Sequence, residues 1–207
     1  VLREFPIQMI GQGLSIQGLF MGPLYFYYLT PFFAIFNLHP IGGAVGSVVL
    51  GLAIIIAYYY FGTRLFGRSV GLIAAFLRAI LFRSLETDWS MVPAYSSELL
   101  VLVTWYCFYQ YWRGETKYLS LLGLVFGLYT SFHPILFPFY LVFLVLLFFK
   151  RVWPNFKTLF LSFGAFILPI TPLILFEYFH KFLEVKLLIN LFFAPKSGAA
   201  LSMTKVL

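Results

Sequence analysis

Within the stretch Arg83-Ser84-Leu85-Glu86-Thr87-Asp88-Trp89, one guanidinium lies close to two carboxylates. Paired carboxylates are the usual equipment of acid/base transfer, which makes Glu86 and Asp88 candidate catalytic groups. Their spacing works against a joint role, because residues two apart do not share a helix face; the plainer reading is a solvated loop. Arg78 lies inside an apolar stretch. A charge within a membrane span points to a pathway or a partner, yet one about two turns from the span's end can snorkel to the headgroups. The sequence leaves both open. His133 precedes Pro134 in what reads as a turn, either a polar turn residue or a site residue. The string Gly22-Pro23-Leu24-Tyr25-Phe26-Tyr27-Tyr28-Leu29 reads as an aromatic-belt helix with Pro in its first turn. Its alternative is a loop that lets a lipid headgroup approach the backbone at Gly22 and Pro23, with Tyr25 and its neighbours lining the cavity. Glu177, His180 and Lys181 close an apolar stretch, where charged anchors are expected. The chain contains no HExxH, Walker loop or CxxC.

The elements that must position these groups are apolar almost throughout. Of 207 residues, 62% are hydrophobic and 10% charged, against about a quarter charged in a soluble domain. Mean hydropathy is +0.94. No formal charge occurs from Phe5 to Thr63 or from Tyr118 to Phe149, and spanning the hydrocarbon takes about 20 apolar residues. This is an integral, multi-pass membrane protein. The net charge of +7 does not indicate nucleic acid, because the basic residues sit singly in short gaps between apolar runs. That pattern sets topology and meets acidic headgroups. The single cysteine, Cys107, lies in an apolar run and cannot form an internal disulfide.

The expected fold class is all-α, a helix bundle of about six spans with a short interfacial helix. Val1 to Phe20, alternating Gln and Gly, reads as a surface loop, and Gly22 to Phe36 as the interfacial helix. Spans follow at Ile41–Phe61, Ser69–Phe82 and Ala94–Trp112. The uncharged run from Tyr118 to Phe149 would make one helix of about 48 Å, too long for a ~30 Å core. It is therefore divided at His133-Pro134 into two spans. The sixth is Thr158–Phe176. Arg64, Arg68, Arg113, Lys117, Lys150, Arg151 and Lys157 fall on one side, and the two enclosed gaps opposite contain only Arg83 and the His133 turn. The first set is expected to be cytoplasmic, so that 83–98 and His133 face outward.

The order of these strings resembles the C-type membrane glycosyltransferases, in particular dolichyl-phosphate-mannose protein mannosyltransferases and bacterial aminoarabinose transferases. The match is carried by Gly22-Pro23-Leu24-Tyr25; by Arg64-Leu65-Phe66-Gly67-Arg68 and Gly71-Leu72-Ile73-Ala74-Ala75; by Trp89 with Pro93; by Gly123 to His133; and by Pro172 to Glu177 with His180. The resemblance implies sugar transfer from a polyprenyl-phosphate carrier on the outer face, at the plasma membrane in a prokaryote. It also implies that Arg78, Arg83 or His133 meets the carrier phosphate, and that the catalytic acid lies upstream of Val1. Residues 1–207 are then one domain truncated at both ends. Met21 and Gly22 stand where the family often carries His or Lys, and Glu4 is too near Gly22 to replace the missing acid. A divalent cation is compatible with the resemblance, although no ligand set for one stands out. A transporter of lipid or polysaccharide is the alternative.

Overall fold

A computed structural model describes residues 8–150 and 152–193. Glu4 and Arg151, which entered the sequence reading, lie outside the described residues. Ordered structure within them is helical, apart from one isolated antiparallel bridge between Gly13 and Phe20. That bridge belongs to a hairpin in the Gln/Gly segment, closed by Gly11 N–H donating to Met21 O at 2.6 Å and Leu14 N–H to Leu19 O at 2.8 Å.

Helix α1 (Leu24–Ile35) is the short helix expected after the Gly-Pro string. The turn that follows uses positive φ at Asn37 and Leu38. Helix α2 (Pro40–Phe66) then starts on a cap, as the His39 Nδ1 accepts from the Ile41 N–H at 3.2 Å and Pro40 takes the first helical position. Tyr28 donates to Gly46 O at 2.9 Å, and Tyr25 bonds Ser47 at 3.2 Å, tying α1 along α2. Gly67, at φ 101°, ends α2 and opens α3 (Arg68–Ile80). The two helices cross with almost nothing between them. A Cβ on Gly62 would stand 2.9 Å from the Gly71 Cα.

A short helix α4 (Phe82–Asp88) leads into α5 (Pro93–Trp112), with a bend of 116° between them. Next come α6 (Tyr118–Phe132), a 3-10 turn (Pro134–Leu136) and α7 (Pro138–Lys150). This is the division expected at His133-Pro134, where proline has no N–H to continue the ladder. Helices α8 (Phe156–Phe179) and α9 (Leu183–Phe193) complete the described fold. Asn155 caps α8, its Oδ1 accepting from the Thr158 N–H at 2.8 Å. Glycines 123 and 127 of α6 lie against the α8 backbone at Ser162 and Phe166, the close approach that small residues permit between membrane helices. An aromatic core joins α5, α6 and α7, with Phe108 stacked on Phe143 and Phe126 edge-on to Tyr140.

Two described helices are by themselves long and apolar enough to cross a membrane, α2 and α8, and the bent pair α4–α5 makes a third if counted as one span. This is fewer than the six spans read from hydropathy. At 1.5 Å per residue, 13-residue α3 and α7 rise about 20 Å and 15-residue α6 about 22 Å, short of the ~30 Å core. Hydropathy sees apolar residues and not where the helix stops. The lipid-facing character is nevertheless plain: Phe160, Phe163 and Leu168 of α8 and Leu141, Leu144 and Phe148 of α7 are exposed. An exposed apolar surface of this extent fits a helix bundle embedded in lipid.

Candidate functional site

Arg78 is where the fold concentrates its polar chemistry. It sits on α3 with its side chain only 5% exposed. Its guanidinium holds Asp88 in a forked pair, Nη2 to Oδ1 at 2.7 Å and Nη1 to Oδ2 at 3.1 Å. Its Nε donates to Glu98 Oε2 at 2.9 Å. Glu98 also accepts from the Tyr58 hydroxyl, at 2.7 Å to Oε1. Four elements thus contribute one group each: α2 gives Tyr58, α3 Arg78, the end of α4 Asp88, and the first turns of α5 Glu98. The sharp bend between α4 and α5 is what brings the two carboxylates to one guanidinium. A buried ion pair is sustained only when the remaining lone pairs and protons are also bonded, and Tyr58 meets that need on Glu98.

The cluster borders a pocket of about 660 Å³ lined by Tyr58, Leu77, Arg78, Phe82 and Glu98. Glu98 is its more open carboxylate, at 32% side-chain exposure against 16% for Asp88. With both acids ionised, the trio carries one more negative than positive charge. It is therefore suited to receive a hydrogen-bond donor such as a hydroxyl. Arg78 differs from the open phosphate donor expected of it, since three of the five N–H donors of a guanidinium are already directed at carboxylates. The same guanidinium occupies the place a cation would take between Asp88 and Glu98. No group of three or more His, Cys, Asp or Glu side chains is gathered among the described residues. These residues do not fit a divalent-cation site.

Arg83 and Glu86 lie elsewhere. They pair with each other along α4 at 2.9 Å with side chains 70% and 51% exposed, an arrangement worth little in stability. The segment expected as a solvated loop is thus helical, and it turns Asp88 inward and Glu86 outward. Gly22 and His133 both lie at a second place, the end of α6. Gly22 N–H donates to Thr130 O at 2.8 Å, which fastens the hairpin to the end of α6, and a Cβ on Gly22 would overlap Ser131. His133 Nδ1 accepts from the Ile135 N–H at 3.2 Å, capping the 3-10 turn. His133 lines a pocket of about 470 Å³ together with Met21, Thr130 and Glu184, and Gly22 is not part of that lining. The pocket shares no lining residue with the Arg78 pocket. Pro23 and Tyr25 are buried in the seat of α1, and Tyr25 is 1% exposed, so it braces the helix and lines neither pocket. Glu177 anchors the next helix rather than the membrane face. Its carboxylate accepts from the Glu184 and Val185 N–H groups at the start of α9, at 3.1 and 3.3 Å.

Glu98, Tyr58 and Glu184 were not singled out by sequence. The signal for Glu98 was present, because a lone acid in one apolar helix and a lone Arg in another imply each other when both are inside a bilayer.

No curated protein and no solved structure matches this chain. The family model described as dolichyl-phosphate-mannose-protein mannosyltransferase matches residues 21–176. That range contains α1 through most of α8, the Arg78 cluster and the Gly22–His133 junction, and the chain belongs to the dolichyl-phosphate-mannose-protein mannosyltransferase family.

Proposed function

We propose that the chain is the membrane body of a glycosyltransferase that moves a sugar from a polyprenyl-phosphate carrier to an acceptor hydroxyl on the outer face. The observation that carries this reading is the family match over residues 21–176, which includes every member of the Tyr58–Arg78–Asp88–Glu98 cluster. In this reading the cluster binds a hydroxyl of the substrate through Glu98, and Arg78 and Tyr58 hold that carboxylate in place. Arg83, exposed on α4, supplies the charge-assisted bonds for the carrier phosphate. Gly22, with no side chain in the way, and His133 form the second polar station at the end of α6, braced by Pro23 and Tyr25. The protein is multi-pass, in the plasma membrane if the source is prokaryotic, with residues 83–98 and His133 outside. Nothing in the fold or the family match favours transport.

Transfer from a radiolabelled polyprenyl-phosphate sugar, in membranes holding the full-length protein, tests the reading. Glu98→Gln should lower turnover by about 10²-fold or more if Glu98 takes part in proton transfer. Arg83→Gln should raise the KM for the lipid donor by about 10-fold, the worth of one hydrogen bond to a charged group. Unaltered kinetics in both variants would overturn the assignment.

A further inference from the structure

The 470 Å³ pocket at the junction of the hairpin, α6 and α9 holds a buried carboxylate whose bonding is incomplete. Glu184 is 8% exposed, and its Oε1 has no hydrogen-bond partner. The Phe20 backbone amide lies beside the same carboxyl group, and Oε1 is left without a partner. Buried polar atoms are seldom left unpaired, because desolvation without a partner is costly. An unpaired atom on a residue that lines a pocket points to a ligand's donor.

The rest of the lining sets the other end of that ligand. Leu14, Ile16, Leu19, Phe137, Leu173 and Leu188 make most of the wall apolar. A pocket of this volume, mainly apolar with a few convergent polar groups, has the form of a small-molecule site. His133 is the second polar group. Because its Nδ1 accepts from the Ile135 N–H, the neutral ring carries its hydrogen on Nε2, a donor suited to a phosphate oxygen. The pocket therefore offers an acceptor for a cation and a donor for an anion, beside a greasy wall. The site is built by the fold and not by chance contact. Gly18, at φ +88° near the hairpin's tip, lies so close to α9 that a Cβ there would stand 2.7 Å from a Leu187 methyl.

We propose that this pocket binds the head of a zwitterionic amphiphile, its primary ammonium donating to Glu184 and its phosphate accepting from His133. The assignment shares His133 with the sugar-transfer reading but does not rest on the Arg78 cluster, since the two pockets share no residue.

Native mass spectrometry of the purified full-length protein, titrated with phosphatidylethanolamine or phosphatidylcholine of the same chains, tests it. Phosphatidylcholine keeps the phosphate and the tails but has no N–H. Phosphatidylethanolamine should be retained at least ~10-fold more tightly, as a charge-assisted hydrogen bond implies. Glu184→Leu should abolish that preference, because it leaves no acceptor for the ammonium. Ile16→Trp, which fills the pocket and leaves Glu184 in place, should abolish it too, and it decides the matter should Glu184→Leu fail to fold. Equal retention of the two lipids, or a preference surviving either variant, would overturn the proposal. Equal retention of phosphatidylglycerol, which offers hydroxyls only, would overturn the ammonium assignment.

Discussion

Asp88 packs against the bare Cα of Gly51: a Cβ at that position would stand 2.6 Å from the Asp88 Cγ and Oδ2. The contact matters because Asp88 is the forked partner of Arg78, and α2 can accept a carboxylate this close only where it has no side chain. Gly51→Ala should push Asp88 off its guanidinium and cost about 1–3 kcal/mol as an overpacked site. A melting curve in detergent would show it. Gly164→Ala, where a Cβ meets nothing within 4 Å, is the control and should leave the melting temperature unchanged or slightly raised.

Arg78→Met removes the one buried cation from between two partly buried carboxylates. Breaking a buried pair by deleting one partner costs about 3–5 kcal/mol, whereas replacing all partners by neutral groups is often tolerated. Arg78→Met should therefore be much less stable than the triple variant that also carries Asp88→Asn and Glu98→Gln. Denaturation of the two in the same detergent compares them directly. Arg78→Lys should not rescue, since a point ammonium cannot reproduce a forked pair with Asp88 and a third bond to Glu98.

The α6–α8 contact can be read by cross-linking. Ser120 and Ser162 bring their Oγ atoms to 3.5 Å, so a Ser120→Cys, Ser162→Cys pair in a Cys107→Ser background should oxidise readily to a disulfide. Adding Gly127→Leu, which drives a side chain into the Phe166 carbonyl and the Pro169 ring, should suppress the bond. Cross-linking at an unchanged rate would show that α6 and α8 do not depend on that close approach.

Glu184 makes stability depend on pH. Burial, with Glu177 nearby, pushes its carboxyl up to about 7, against the pull of the Phe20 amide. A folded-state value above the unfolded one means that the native protein holds the proton more tightly. Stability from this group is complete below about pH 4.5 and falls as pH rises through 7. The whole effect amounts to about 3 kcal/mol. Melting temperatures from pH 5 to pH 8 should fall for the unaltered protein, and less so for Glu184→Gln.

Accessibility labelling settles orientation. Single cysteines at Glu86 and at Lys117, both with exposed side chains, should react with an impermeant reagent from opposite sides of the membrane. Reaction from the same side would contradict the assignment of 113–117 to the cytoplasm and 83–98 to the outside.

Local chemistry made part of this fold readable. Proline after His133 had to break a run too long for one helix, and Arg113 to Lys117 had to separate two apolar stretches, so α5, α6 and α7 lie where the sequence puts them. The failure at α3 and α4 has a different origin. Whether an apolar stretch crosses the bilayer or turns back halfway depends on what meets its end. Here the end is held by Asp88 and Glu98, 10 and 20 residues further on. Tyr58 bonds a carboxylate 40 residues away. Glu184 gained its interest only from the pocket that closes over it. Such partners are separated by whole helices, and neither hydropathy nor residue spacing carries their distance.

The unequal lengths of α2 and α3 bear on the membrane itself. Twenty-seven residues of α2 reach about 40 Å, while its close partner α3 stops after about 20 Å. Lipids beside α3 meet an apolar face, including Leu72, Ile73 and Phe76, that is about 10 Å shorter than an ordinary hydrocarbon core. A bilayer meeting that flank would thin or tilt its lipids, at a fraction of a kcal/mol per ångström of mismatch. Its headgroups would thereby come closer to the Arg78 end of α3.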